Sequence, residues 1–249
     1  MKSFTSELPQ DKRRFYSRSE IAKAYDEQRF GGDSGAWVNR REIELALGLL
    51  PPFKCALDLA CGTGRLTQPL AERGPATGLD ASRAMLEESR HLHSAPLVQG
   101  DAFSLPFAPG SFDAVLALRL AFHFPSVDSL LSEAARVLAP GGSLIFDTYL
   151  WTPRALLPLD RARWGGGVFA HSAAQVEQAV RRVGLNIADR SFCFLFSPYL
   201  YKRLPLAAVK RLARIEERVP EGMRARVFWR LVQPAGAGHS AAALAEEQR

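Results

Sequence analysis

The chain has 249 residues, 47% of them hydrophobic, with three cysteines and a formal net charge of +6. That length and apolar content can bury the core of one domain. No apolar run approaches the ~20 residues that cross a bilayer. The opening residues Met1-Lys2-Ser3-Phe4-Thr5 lack the apolar centre of a signal peptide. An odd cysteine count without a pairing pattern argues against a disulfide framework and for a reducing, cytoplasmic compartment. The positive charge opens nucleic acid or an anionic membrane as partners, but its distribution is uneven. Residues 199–232 hold nine Lys/Arg against three Glu, which equals the whole net charge.

In chain order, residues 1–18 are polar and mixed in charge and read as a loose arm. Ser17-Arg18-Ser19-Glu20 has capping-box spacing and opens a predicted helix to about Gln28. Gly31-Gly32-Asp33-Ser34-Gly35 is a loop with hinge character. A second helix, predicted over about 36–50, places Ile43, Leu47 and Leu50 at helical spacing until Pro51-Pro52 stops it. Alternating units follow: strand 55–60, helix 63–72, strand 75–80, helix 82–90, strand 96–100, strand 112–118, helix 127–138, strand 142–148. That alternation predicts an α/β fold, doubly wound around a mostly parallel sheet. Ligands of such sheets lie at the carboxyl ends of the strands, where Gly62, Asp80, Asp101 and Leu118 fall.

Further on, a helix over 173–183 ends at Gly184, a strand covers 185–196, and a last strand over 224–232 runs antiparallel to it. Between the strands lies an insertion, 197–223. In it Leu206, Val209, Leu212 and Ile215 form an apolar stripe beside Lys210, Arg211, Arg214 and Arg218, an amphipathic basic helix over about 205–218. Its charge is read first as a solvated face, with peripheral contact to an anionic membrane as the alternative. The tail, 233–249, is rich in Ala and Gly and reads as disordered.

The chemistry concentrates in five ordered stretches. They are Asp58-Leu59-Ala60-Cys61-Gly62-Thr63-Gly64, Gly78-Leu79-Asp80-Ala81-Ser82, Gly100-Asp101-Ala102-Phe103-Ser104-Leu105-Pro106-Phe107, Phe112-Asp113-Ala114-Val115, and Leu138-Ala139-Pro140-Gly141-Gly142. A glycine turn between a buried strand and a helix exposes backbone N–H groups to a ligand. An acid ending the second strand is placed for ribose hydroxyls. The dinucleotide fingerprint G-x-G-x-x-G is absent, because Thr67 replaces its third glycine, and this disfavours a dehydrogenase.

In order and spacing these stretches resemble the motifs of class I S-adenosylmethionine-dependent methyltransferases, of the quinone/sterol-like group acting on small molecules. One departure is Ala60, where the family usually has the first glycine of its loop. The resemblance implies a seven-stranded sheet with an antiparallel last strand, in one domain spanning 1–249. Within it a helical cap (1–50), a cofactor core (55–148) and a helical lid (197–223) are expected. It implies S-adenosylmethionine as cofactor. Asp58 and the loop of Ala60, Gly62 and Gly64 would serve its amino-acid end, Asp80 its ribose, and Asp101 and the Ala102 amide its adenine. Met85 would lie against the adenine, or is simply a core residue, and Leu118 would line the site. Tyr25 and Arg29 fall in Tyr25-Asp26-Glu27-Gln28-Arg29-Phe30, which resembles a segment that members fold over the cofactor; an amphipathic helix packed on the sheet is the alternative.

His123, just past the fourth strand, is the candidate general base or substrate contact, or else an orienting or core residue. Arg119 either holds an anionic acceptor or closes an ion pair within the fold. Tyr149 and Tyr199 are candidate substrate contacts. With Phe30, Trp37, Trp151, Tyr201 and Tyr25 they suggest an aromatic lid for a poorly soluble acceptor such as a quinone or polyketide, methylated at O or C. No metal is indicated, since ligand-spaced His/Cys sets are lacking. An RNA-modifying enzyme is the first rival, disfavoured because the chain carries no N/D-P-P-Y/F stretch. A non-catalytic cofactor-binding relative is the second.

Overall fold

The computed structural model describes residues 10–152 and 167–236. Residues 1–9 of the expected arm and 237–249 of the expected tail lie outside them. Three helices come first: α1 (Gln10–Tyr16), α2 (Ser19–Phe30) and α3 (Gly32–Leu49). The alternating part contains β1 (Ala56–Leu59), α4 (Thr67–Ala71), β2 (Ala76–Asp80), α5 (Arg83–Ser89), β3 (Leu97–Gln99) and β4 (Phe112–Ala117). A 3-10 turn (Ala121–His123), α6 (Asp128–Val137) and β5 (Leu138–Tyr149) complete it. Then come α7 (Ala173–Arg182), β6 (Asn186–Cys193), α8 (Pro198–Arg203), α9 (Leu206–Glu216) and β7 (Arg226–Val232).

The seven strands form one sheet in the order β3-β2-β1-β4-β5-β7-β6. The first five are parallel, while β7 pairs antiparallel with both β5 and β6. β1 is buried at all four positions, as a central strand covered on both faces must be. One face packs Leu130 and Leu131 of α6 and Val176 and Val180 of α7 onto the sheet. The other packs Val38 and Leu47 of α3, Leu70 of α4 and Val209 of α9. The order turns at β1 and β4, whose carboxyl ends diverge into different crossovers and leave a crevice there.

Four local expectations are corrected. The loop expected at 31–35 is helical from Gly32, the first turn of α3. Residues 10–16 are helix rather than loose arm, and Lys12 there is buried. The capping box at Ser17 does not form, because the Ser17 hydroxyl donates to the Arg14 carbonyl and closes α1 instead. Arg18 holds the N-cap of α2 without a side-chain bond. The strand expected over 142–148 begins already at Leu138 and contains a bulge: Leu138 pairs with Phe112 and Ser143 with Ala114, and Gly141 takes up the irregularity at φ 78°.

Candidate cofactor and acceptor site

β1 ends at Leu59, and the chain then leaves the sheet through two left-handed residues, Ala60 at φ 59° and Gly62 at φ 57°. Alanine tolerates this conformation at a cost of roughly 1 kcal/mol, which explains how it can stand at a left-handed position of the loop. A side chain at Gly62 would meet nothing within 4 Å, so the loop backbone faces open space. Gly64 is different. It too is left-handed, at φ 85°, but the space beside it is filled by Ser89 and His93 of the α5 side. Its smallness serves packing, and it does not clear room for a ligand as expected.

That open space is a cavity of about 320 Å³ at the carboxyl ends of β1, β2 and β4. It is lined by Tyr25, Asp58, Ala60, Gly62, Asp80, Met85, Ala102, Leu118, Arg119 and His123 among the residues singled out from the sequence. Five others do not line it. Arg29 lies 5.6 Å from the Tyr25 ring centre and 5.3 Å from that of Tyr199, so it braces the cap. Gly64 faces α5. Asp101 turns its carboxylate to the Phe103 amide, at 3.1 Å, and to the Arg13 guanidinium. Tyr149 is buried against Phe122, with ring centres 5.0 Å apart. Tyr199 lies against Arg29 and outside the lining.

The 197–223 insertion supplies no lining residue either. α8 and α9 instead pack behind α3: Trp37 stacks on Tyr201 at 6.3 Å, and the Tyr201 hydroxyl accepts from the Leu195 amide at 2.9 Å. The expected aromatic lid is therefore mostly core, and the cover comes from α1 and α2. Lys12, Arg13, Arg14, Tyr16 and Ser17 all line the cavity. The sequence reading missed these residues because a charged seven-residue helix carries no periodic apolar signal. Tyr16 also accepts a 2.8 Å bond at its carbonyl from the Ser82 hydroxyl, which ties α1 to the start of α5.

Each acid has a defined setting. Asp80 accepts from the Gly62 amide at 2.9 Å and the Ser82 amide at 2.8 Å, which fixes its carboxylate at the cavity wall. Burial raises its pKa, and these amides, with that of Ala81, partly offset the rise. Asp58 is buried beneath the loop and accepts from the Thr67 hydroxyl at 2.7 Å. Burial pushes its pKa up to about 7, against the opposing Thr67 bond and Arg65 charge. The Thr63 hydroxyl donates to Asp26 at 2.9 Å and binds α2 to the glycine loop.

Beside the cavity lies a buried charge cluster. Glu42 of α3 receives Arg65 at 2.9 Å, Arg119 at 3.0 Å and the Arg226 guanidinium. Asp147 accepts from the Arg119 amide at 2.6 Å and from Arg226 at 2.6–2.7 Å. Arg119 thus closes an ion pair, one of the two roles open to it from the sequence, while still bordering the cavity. His123 borders it too, with its Nδ1 2.6 Å from Lys12 Nζ.

These residues fit S-adenosylmethionine. A bare loop backbone at Gly62, a fixed carboxylate at the end of β2, and an apolar slot of Leu79, Met85, Ala102 and Leu118 suit an amino acid, a ribose and an adenine in turn. Residues 57–146 match the family model described as a methyltransferase domain. Over that segment, the match, the ordered motifs and the seven-stranded sheet agree with a class I S-adenosylmethionine-dependent methyltransferase.

Among named relatives, a demethylmenaquinone methyltransferase of Thermus thermophilus is 40% identical over 139 residues, covering 51% of this chain and 61% of that one. A sterol 24-C-methyltransferase of Gibberella zeae is 35% identical over 125 residues, covering 46% and 32%. The chain thus spans less than two thirds of these relatives. A solved S-adenosylmethionine-dependent methyltransferase of Thermotoga maritima, titled a possible histamine N-methyltransferase, superposes with a TM-score of 0.65 at 21% identity. It covers 91% of this chain and all of that one, a likeness of fold. Among the described residues, no helix is long and apolar enough to cross a membrane.

Proposed function

We propose that the protein, as one cytoplasmic domain, transfers a methyl group from S-adenosylmethionine to a small-molecule acceptor. Oxygen or carbon of an apolar or aromatic metabolite, such as a quinone or polyketide, is the favoured target. The observation that carries this reading is Asp80. Its carboxylate is held by the Gly62 and Ser82 amides at the cavity wall, inside the segment that matches a methyltransferase domain. The quinone and sterol acceptors in the names of two relatives support a small apolar acceptor here.

When bound, S-adenosylmethionine supplies an activated methyl on a sulfonium whose leaving group is a neutral thioether. The chain then has to align the acceptor and exclude water. Asp80 accepts from the ribose hydroxyls, with lone pairs left over from its two amide bonds. Gly62 presents the loop backbone to the amino-acid end, Met85, Ala102 and Leu118 hold the adenine side, and Tyr25 closes the cavity from α2. Arg119 and His123 face the acceptor.

The test is calorimetric titration with S-adenosylmethionine and S-adenosylhomocysteine. Roughly micromolar binding, weakened at least about tenfold in Asp80→Ala, is expected. Absence of binding by the folded wild-type protein overturns the reading.

A further inference from the structure

Thr63 stands between two left-handed glycines and is 3% exposed, and its hydroxyl reaches out of the loop to α2. There it donates to Asp26 Oδ1 at 2.9 Å, across 37 positions of sequence. The loop has other bonds to set its shape. The Cys61 amide donates to the Leu79 carbonyl at 3.0 Å, the Gly62 amide to Asp80 at 2.9 Å, and the Gly64 amide to the Cys61 carbonyl at 3.0 Å. The Thr63 bond therefore does more for α2 than for the loop. Asp26 directly follows Tyr25, which lines the cavity, so this bond fixes the stretch of helix that carries the Tyr25 ring.

The rest of the cap is fastened in the same way. The Ser82 hydroxyl donates to the Tyr16 carbonyl at 2.8 Å, two residues beyond Asp80, and Arg13 pairs with Asp101, next to Ala102. All three fastenings end on the strand-end loops that line the cavity. The apolar contact beneath them is small: Ala22, Ala84 and Met85 are buried there, with Tyr16 and Tyr25 partly buried against them. So small a cluster resists local opening much less than the sheet's own cores do, and the polar bonds weigh correspondingly more. The other end of α2 is pinned separately, because Lys202 of α8 donates to the Glu27 and Gln28 carbonyls at 2.7 Å each. The end that can lift is the one that carries α1, Ala22 and Tyr25.

We propose that Asp26 is a positioning residue: through Thr63 it fastens α2 and Tyr25 over the cofactor, and this bond governs how fast the cofactor leaves. The inference rests on the methyltransferase reading and specifies release from that same site. Asp26 does not line the cavity and acts only through Thr63 and Tyr25. The loop that presents its backbone to the cofactor at Gly62 holds the cap with the very next residue. Filling the loop and closing the cap are thereby coupled, and a bond to a carboxylate is strong enough for its loss to be read in a rate.

The test is the dissociation rate of S-adenosylhomocysteine from the full chain, measured by surface plasmon resonance. Thr63→Val removes the donor and keeps the shape, while Thr63→Ser keeps the donor. Release at least about tenfold faster is expected in Thr63→Val and in Asp26→Ala, no faster still in the double variant, and close to wild type in Thr63→Ser. A wild-type rate in Thr63→Val, a Thr63→Ser rate as fast as that of Thr63→Val, or additive effects in the double variant overturns the proposal. Failure of the wild-type protein to bind S-adenosylhomocysteine overturns the methyltransferase reading instead. Amide hydrogen exchange of the ligand-free protein then still decides the fastening. Exchange over residues 20–26 should rise in Thr63→Val while the Gly62 and Gly64 amides keep their protection; equal exchange over 20–26 in the two proteins overturns it.

Discussion

Glu42 is fully buried, which alone would raise its pKa, yet Arg226, Arg119 and Arg65 outweigh that and lower it to about 2. Its stabilising ionisation is complete above its ordinary 4.5 and is lost as pH falls through about 2. Glu42→Ala is expected to cost about 3–5 kcal/mol in urea unfolding near neutral pH, because three guanidiniums lose their shared partner. Asp58 has the opposite sign. Its folded pKa of about 7 lies above the ordinary 3.8, so between those values the unfolded chain releases a proton that the folded protein keeps. Stability should fall as pH rises through that window, by on the order of 1 kcal/mol per pH unit. Asp58→Asn is expected to remove that slope, which urea midpoints of the two proteins measured across the window will show. Asp58 was legible in the sequence because it interrupts an apolar strand before a glycine turn. Glu42 was not, since it is one acid in a helical run and its partner Arg226 lies 184 residues further along.

At the scale of elements, the glycine loop separates two requirements that look identical in sequence. Gly62→Ala adds a methyl group to open space at φ 57°, so it should cost about 1 kcal/mol of stability and chiefly weaken cofactor binding. Gly64→Ala drives a methyl group into Ser89 and His93, so it should lower the melting temperature more, by a strain of roughly 1–3 kcal/mol. Melting curves and cofactor titrations of the two variants distinguish these effects. Capping boxes make a parallel point. Ser172 and Gln175 do form one at the start of α7, whereas Ser17 and Glu20, at the same spacing, do not. The difference is upstream, where the last turn of α1 takes the Ser17 hydroxyl. Helix α1 itself was invisible locally, because its contacts are made to distant parts of the chain at Ser82, Asp101 and His123.

For the whole molecule, the positive charge of residues 199–232 is exposed along α9 at Lys210, Arg211 and Arg214 and just beyond it at Arg218, while Val209 is buried and Leu212 packs partly covered in the same cluster as α3. Val209 and Leu212 of the apolar stripe are used in packing and Ile215 alone of it is exposed, so adsorption to anionic vesicles is expected to be electrostatic. Co-sedimentation seen at about 0.05 M salt should vanish at about 0.5 M, where screening is shorter than 10 Å; binding that survives the salt would show insertion instead. The sequence by itself determined the sheet, the glycine turn and the place of Asp80 at the end of β2. Those features depend on residues near in sequence, whose spacing follows the period of strand and helix. Only the tertiary structure decided what covers the cavity, which charges meet beneath it, and that Lys12 stands behind His123. Those are contacts between residues more than a hundred positions apart in several cases, and their geometry exists only once the sheet has brought the strand ends together.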